Sequence, residues 1–383
     1  MKKSVFNSVM IICIIFLTAN ISSAWISPVR LTWNSGGSFA PKVISDPSGI
    51  LHLCWYDDTS GIEEIYYKQS TDGGSNWSAV KRLTWVSGSS LLPDITVDPV
   101  GAVYVVWQDN TPVNYDIFYK YSSDGGTNWT APKRLTWTTD FSLSPIVVID
   151  STFILHVFWS DKISGNCELY HKMSADFGNT WTYTQRLTWN SGDSLRCAAA
   201  LYGSNDVYLV WDDATPGTNQ IFFKSSTNGG TIWSLPKRLT WTSSYSYSPS
   251  IEYDKNNILH LVWHEYMNSN YEVLYKNSTD QGATWSATKR MTWNSGLSEK
   301  AKVISDSNGN VHIIWTDDTP GQFEIYYKSS TDQGSTWSAP VRLTWNSGSS
   351  NNPHFTPGTA NNVHVVWDDQ STGNREIMYK RKY

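Results

Sequence analysis

Seven copies of one unit, each offset by 52 residues with no insertion, dominate this chain and limit what it can fold into. The tetrapeptide Arg-Leu-Thr-Trp, with Met for Leu in one copy, ends at Trp33, Trp85, Trp137, Trp189, Trp241, Trp293 and Trp345. A second ladder is Trp55, Trp107, Trp159, Trp211, Trp263, Trp315 and Trp367, and a third is Trp25, Trp77, Trp129, Trp181, Trp233, Trp285 and Trp337. These ladders account for all 21 tryptophans, so none is left over for a unique site. Self-similarity at this period specifies a solenoid, a propeller or an array, in which each unit buries its apolar face against its neighbours.

Within a unit the local pattern is β. In the first unit, 41–46 reads as a short strand closed by the turn Asp46-Pro-Ser-Gly49, and 51–57 as an aromatic and apolar strand. Residues 64–70 alternate, Asp72-Gly73-Gly74 makes a tight turn, and 79–85 is the fourth strand. Four short strands per unit without helical periodicity fit a propeller blade, whereas the alternative, a parallel β-helix, uses shorter rungs. The last unit supplies three strands, over 353–357, 362–369 and 376–380, and 25–33 is an orphan fourth strand in the same register. The expected fold is therefore all-β, a seven-bladed β-propeller over residues 25–383 whose N-terminal strand completes the last blade and protects its edges. All three tryptophan ladders are expected in the core.

Residues 1–24 read as a signal peptide. Lys2 and Lys3 precede an apolar stretch over 9–17 and the small residues Ser22-Ser23-Ala24, and the stretch is shorter than the roughly 20 residues that span a bilayer. Cys13 has no lipobox around it. The expectation is a secreted, extracellular or periplasmic monomer with no membrane association after cleavage. Without the two leader lysines, 27 basic residues face 34 acidic ones, a net charge near −7. That balance argues against nucleic acid and anionic membranes as partners.

The turn between strands three and four reads Ser-x-Asp-x-Gly-x-x-Trp, beginning at Ser70, Ser122, Ser174, Ser226, Ser278 and Ser330, with Asn228 for Asp in the fourth. The carboxylate or amide accepts backbone N–H groups, glycine permits positive φ, and tryptophan folds back onto the blade. This motif resembles the Asp-box, or BNR repeat, of the sialidase-like propeller superfamily, and the resemblance covers essentially all of 25–383. It implies a propeller with the boxes as structural turns, on the face opposite the active site of the family's enzymes. It does not imply an activity. Sialidases of that superfamily resemble one another in three arginines that grip a carboxylate, an Arg-Ile-Pro motif, a Tyr–Glu pair and an acid–base Asp. Here Arg-Ile-Pro is absent, and only Arg196, Arg375 and Arg381 stand outside the regular arginine ladder. One guanidinium at the channel mouth does not make the clamp that a sialic acid carboxylate needs.

Most chemistry-capable residues repeat. His52, His156, His260, His312 and His364 share a position with Tyr104 and Tyr208, which fits a packed, hydrogen-bonded strand site better than a metal ligand. Asp57 and Glu64 head two acidic ladders, which the lysine ladder from Lys68 and the arginine ladder from Arg30 are expected to neutralise. Seven equivalent carboxylate pairs read as hydrogen-bond ladders, and no cofactor or metal is expected. A unique site must lie where the repeats disagree, at the start of the first strand. Lys42 is equivalent there to Asp94, Ile146, Ala198, Ser250, Lys302 and His354, and Ala40 to Leu92, Ser144, Arg196, Ser248, Lys300 and Asn352. Blade five also carries an irregular loop, His264-Glu265-Tyr266-Met267. The candidate ligand-binding residues are thus Lys42, Arg196, His264, Glu265, Lys300, Lys302 and His354; the same unevenness is what drift on an exposed rim produces. Cys167 and Cys197 interrupt the consensus on one face of neighbouring blades and are a candidate disulfide, while Cys54 reads as a buried thiol. Two functions stay open: a non-catalytic binding or scaffold propeller with repeated sites for an extracellular glycan or protein, and an exo-sialidase-like glycoside hydrolase with one site at the channel mouth.

Overall fold

A computed structural model describes residues 24–163, 165–359 and 361–383; the expected leader falls almost wholly, and Cys13 wholly, outside them. The strands form seven four-stranded antiparallel sheets. In blade one these are Ser38–Ser45, Leu51–Asp57, Glu64–Ser70 and Lys81–Arg82, counted from the axis outwards. Blade seven is Ser350–Pro357, Val363–Thr372 and Asn374–Lys382, completed by Val29–Arg30 from the start of the chain. Val29 lies opposite Tyr379 and Arg30 opposite Met378, as the orphan-strand reading requires. No helix among the described residues is long and apolar enough to cross a membrane.

The core lies between blades. One cluster joins Leu31, Val366, Ile377 and Tyr379 of blade seven to Val43, Leu53 and Trp55 of blade one. A single blade therefore leaves an apolar face open, and only the closed ring buries all of them. The ring of Trp55 and its six equivalents is essentially fully buried.

The fourth strand is shorter than the sequence suggests, because Arg-Leu-Thr-Trp ends it. Arg30 Nη2 donates to Glu376 Oε1 at 2.5 Å, and Leu31 enters the core. Thr32 Oγ1 donates to Glu376 Oε2 at 2.5 Å and accepts the N–H of Ile377 at 2.8 Å, so a hydroxyl takes the place of a ladder carbonyl. The chain then leaves the sheet and turns Trp33 outwards. Trp33 and its six equivalents are 66–69 % exposed, which corrects the expectation of three core ladders. The third ladder is half-buried and packs edge-on against the preceding blade rather than its own. Trp129, for example, meets the Tyr67 ring at 5.1 Å.

The polar ladders satisfy buried strands. Asp57 accepts from Ser38 Oγ and Asn34 Nδ2, both at 2.5 Å. The lysine ladder does not neutralise carboxylates, in contrast to the arginines. Lys68 Nζ donates to the Leu31 carbonyl of the neighbouring blade at 2.8 Å and lies 5.7 Å from the centre of the Trp33 ring. The shared histidine position is a packed strand site: His52 Nδ1 lies 2.7 Å from the Tyr67 hydroxyl. In the Ser-x-Asp-x-Gly-x-x-Trp turns, Asp72 Oδ1 accepts the Asn76 N–H at 2.7 Å, which helps hold its carboxyl down at about 2. A Cβ on Gly126, at φ +89°, would come 2.0 Å from the Tyr67 hydroxyl, so the turn needs glycine for space as well as conformation.

These histidines set an acid limit on stability. Burial lowers His52 and His364 from 6.5 to about 4 and His264 to about 3, and takes His171 and His354 well below their usual value. Each binds a proton near pH 6.5 only when the chain is unfolded, so stability present above 6.5 is lost as pH falls towards 4. The carboxyls that burial raises, Glu252 to about 7 together with Asp212, Glu265, Glu299 and Asp368, oppose the trend. Urea midpoints measured from pH 7 to pH 4 should fall steadily; a flat profile contradicts the buried neutral histidines.

Candidate functional site

Each inner strand begins with a β-bulge, at the end of the channel away from the Ser-x-Asp-x-Gly-x-x-Trp turns. In blade one the register shifts between Phe39 and Lys42, and Ala40 sits at φ +48°. The equivalent residues Leu92, Ser144, Arg196, Ser248, Lys300 and Asn352 share this left-handed backbone, with φ from +48° to +55°. None is glycine, so the bulge aims a real side chain at the mouth in every blade. The neighbouring blade props three of these bulges. The N–H of Ser144 bonds Gln108 Oε1 at 2.8 Å, that of Ser248 bonds Asp212 Oδ1 at 3.2 Å, and that of Ala40 bonds Asp368 Oδ2 at 3.0 Å.

One step deeper is the ring headed by Lys42. There His354 Nδ1 accepts the Val43 N–H at 3.3 Å, Asp94 Oδ2 the Val147 N–H at 2.9 Å, and Ser250 Oγ the Val303 N–H at 3.3 Å. Three of the seven residues at this position thus accept a backbone N–H from the next blade. An ammonium cannot do it. Lys42 instead reaches Asp94 at 3.2 Å, which leaves Lys302 without a carboxylate partner among the described residues. Burial, with Lys42 nearby, lowers Lys302 to about 8, and burial also lowers Lys300.

Lys42, Arg196, Lys300, Lys302 and His354 line one hollow of about 310 Å³ together with Ser248 and Asn352, and a second hollow of about 190 Å³ adjoins it. The arc expected from the uneven repeats is therefore assembled. Two candidates fall outside it. His264 is buried against Tyr247 and Tyr271, with ring centres 6.0 and 5.2 Å away. Glu265 points to the other face of its strand and takes the acidic-ladder role, accepting from Ser246 Oγ at 3.1 Å and Trp263 Nε1 at 3.2 Å. A larger cavity of about 540 Å³ occupies the opposite end of the channel, where Asp46, Asp98 and Asp150 each accept a backbone N–H of their own turn through Oδ1.

The arginines outside the ladder do not converge. Arg196 is held bidentately by Asp212, with both bonds at 2.7 Å, and lies 4.8 Å from the Tyr247 ring centre. Arg375 pairs with Asp368 at 2.6 Å, while Arg381 donates to the Gly73 carbonyl at the other end of the blade. Burial raises the carboxyls of both Asp212 and Asp368. These two aspartates escaped the reading of the sequence, and so did Tyr245, Tyr247 and Tyr271, which group with Tyr266 of the irregular loop. Their signal was present, since no other blade places four tyrosines at those positions.

The three cysteines among the described residues are free thiols, so the expected Cys167–Cys197 bridge is not formed. Cys197 takes the place of proline at its bulge and packs into the core with Leu209 and Trp211. Cys167 stays at the rim, its N–H bonded to Asp193 Oδ1 at 2.8 Å. Cys54 is buried, as expected. Among the described residues no group of His, Cys, Asp or Glu is placed to hold a metal ion.

No protein-family model matches the sequence, and no curated protein does. Solved structures do match in shape. A polysaccharide lyase of family PL25, an ulvan lyase bound to -[GlcA(1-4)Rha3S]-, superposes with a TM-score of 0.63 at 11 % identity, over 92 % of this chain and 95 % of the lyase. A protein of unknown function from Dyadobacter fermentans gives 0.59 at 12 % identity, over 94 % and 98 %. An intramolecular trans-sialidase from Ruminococcus gnavus gives 0.53 at 12 %, over 92 % and 97 %. At these identities the likeness concerns the backbone, and what it establishes is that this chain has the sialidase-like β-propeller fold, in a seven-bladed form.

Proposed function

We propose that this is an exported carbohydrate-binding propeller that holds an anionic sugar at the channel mouth without cleaving it. The observation that carries this reading is Lys302, a channel lysine with no carboxylate partner among the described residues, in a ring where Lys42 pairs with Asp94 and where His354, Asp94 and Ser250 accept backbone N–H groups. Lys300 beside it donates to Asn351 and Asn352 at 2.8 and 2.9 Å, so its charge is not cancelled either. A carboxylate or sulfate in the hollow gains charge-assisted hydrogen bonds from both. The anionic ligand of the superposed lyase supports the same chemistry. Absence of cleavage rests on the arginines, two of which are consumed by buried aspartates.

Titration calorimetry with glucuronate-containing oligosaccharides and with neutral lactose, run beside a fluorogenic sialoside assay, tests the proposal. One anionic ligand should bind the mouth per chain, with no turnover. Affinity should drop as pH rises through about 8, because Lys302 then loses the proton that carries its charge. Sialoside turnover that disappears in Arg196→Ala would make the protein a hydrolase, with raised Asp212 or Asp368 as the acid.

A further inference from the structure

Seven tryptophans that each keep two thirds of their surface in water are not explained by the fold. The core is complete without these rings, and exposed indole forgoes the stabilisation that burial brings the Trp55 ladder. An arginine and a lysine approach each of the seven rings, such as Arg30 at 5.8 Å and Lys68 at 5.7 Å from the Trp33 centre. Both cations are already engaged, with Glu376 and with the Leu31 carbonyl, so the tryptophan is not needed to satisfy them.

We propose that the seven crossover tryptophans are stacking platforms for neutral pyranose rings, a repeated set of sugar sites separate from the anionic mouth. The groove between blades four and five shows the chemistry. Trp241 forms one wall of a cleft of about 450 Å³, lined also by Thr242, Glu265, Lys276, Thr288 and Arg290. An indole face beside a carboxylate, an ammonium, a guanidinium and hydroxyls suits a sugar, which presents an apolar C–H face and a rim of hydroxyl donors and acceptors. The volume falls in the range of roughly 300–1,000 Å³ typical of small-molecule sites. Trp241 stands in a groove among charged groups, whereas a ring that dips into lipid stands clear of them. The near −7 balance of the mature chain also disfavours an anionic bilayer. Each site is weak alone, and the ring of seven gains through multivalency on a polymeric glycan.

The test is protection of tryptophan fluorescence from acrylamide in the mature chain, with maltohexaose, cellohexaose and chitohexaose as probes and stoichiometry taken from calorimetry. At least one hexaose should shield the quenchable indoles and saturate at about seven sugars per chain if sites fill independently. The Lys42→Ala/Lys302→Ala variant should keep this binding while losing the anionic ligand, so the two proposals can fail separately. Trp137→Ala/Trp241→Ala/Trp345→Ala should remove about three of the seven sites with near-ultraviolet dichroism otherwise native, and tyrosine at the same positions should restore them. Three results overturn the proposal: no protection by any hexaose, protection by phosphatidylcholine–phosphatidylglycerol vesicles only, or a single site that vanishes with the lysines.

Discussion

Trp315→Ala should lower the unfolding free energy by about 3–5 kcal/mol, whereas Trp293→Ala, 22 residues earlier, should change it by no more than about 1 kcal/mol. Trp315 is 1 % exposed, packs in the core between blades five and six, and donates to Asp317 at 3.2 Å. Its removal leaves a cavity that a sheet fixed on both sides cannot close. Trp293 is 66 % exposed and gives up little beyond its contacts with Arg290 and Lys328, which lie 5.9 and 5.3 Å from the ring centre. Urea unfolding of the two variants measures the difference directly. Equal losses would mean that the crossover tryptophans are core after all, and the proposed platforms would go with them.

Lys302→Glu should weaken anionic oligosaccharide binding at the mouth at least about 100-fold, since 1.4 kcal/mol is tenfold and an attractive charge becomes a repulsive one. The new carboxylate would also compete with the ligand for Lys42, which now reaches Asp94 at 3.2 Å. Lys302→Met, which keeps the length of the side chain without its charge, should fall between wild type and Lys302→Glu. Binding that survives both changes would remove the mouth from consideration. The fold should tolerate either variant, because Lys302 accepts no backbone hydrogen bond that a substitute must replace.

Blade number, strand order and ring closure were legible because they follow from spacing. A constant 52-residue interval leaves no room for a different unit, and the register of 25–33 matches the missing fourth strand. Burial was less legible. Three tryptophan ladders look alike in sequence, yet Thr32 ends the strand one residue before Trp33 and turns that ring to solvent. The position of the site was legible from disagreement among repeats, but partners were not. Arg196 looked free until Asp212, 16 residues later, proved to hold both edges of its guanidinium. In sequence Glu265 stood both in the acidic ladder headed by Asp57 and in the irregular loop, and its bonds to Ser246 and Trp263 give it the ladder role, on the opposite face from the channel.

Seven left-handed residues crown the channel, and a non-glycine residue in that conformation carries roughly 1–2 kcal/mol of strain. Glycine would relieve it at every position, and glycine occurs at none. The molecule therefore tolerates a strained crown in exchange for seven independently variable letters around one opening. New specificity can be written there, one side chain at a time, while the wedges beneath remain interchangeable.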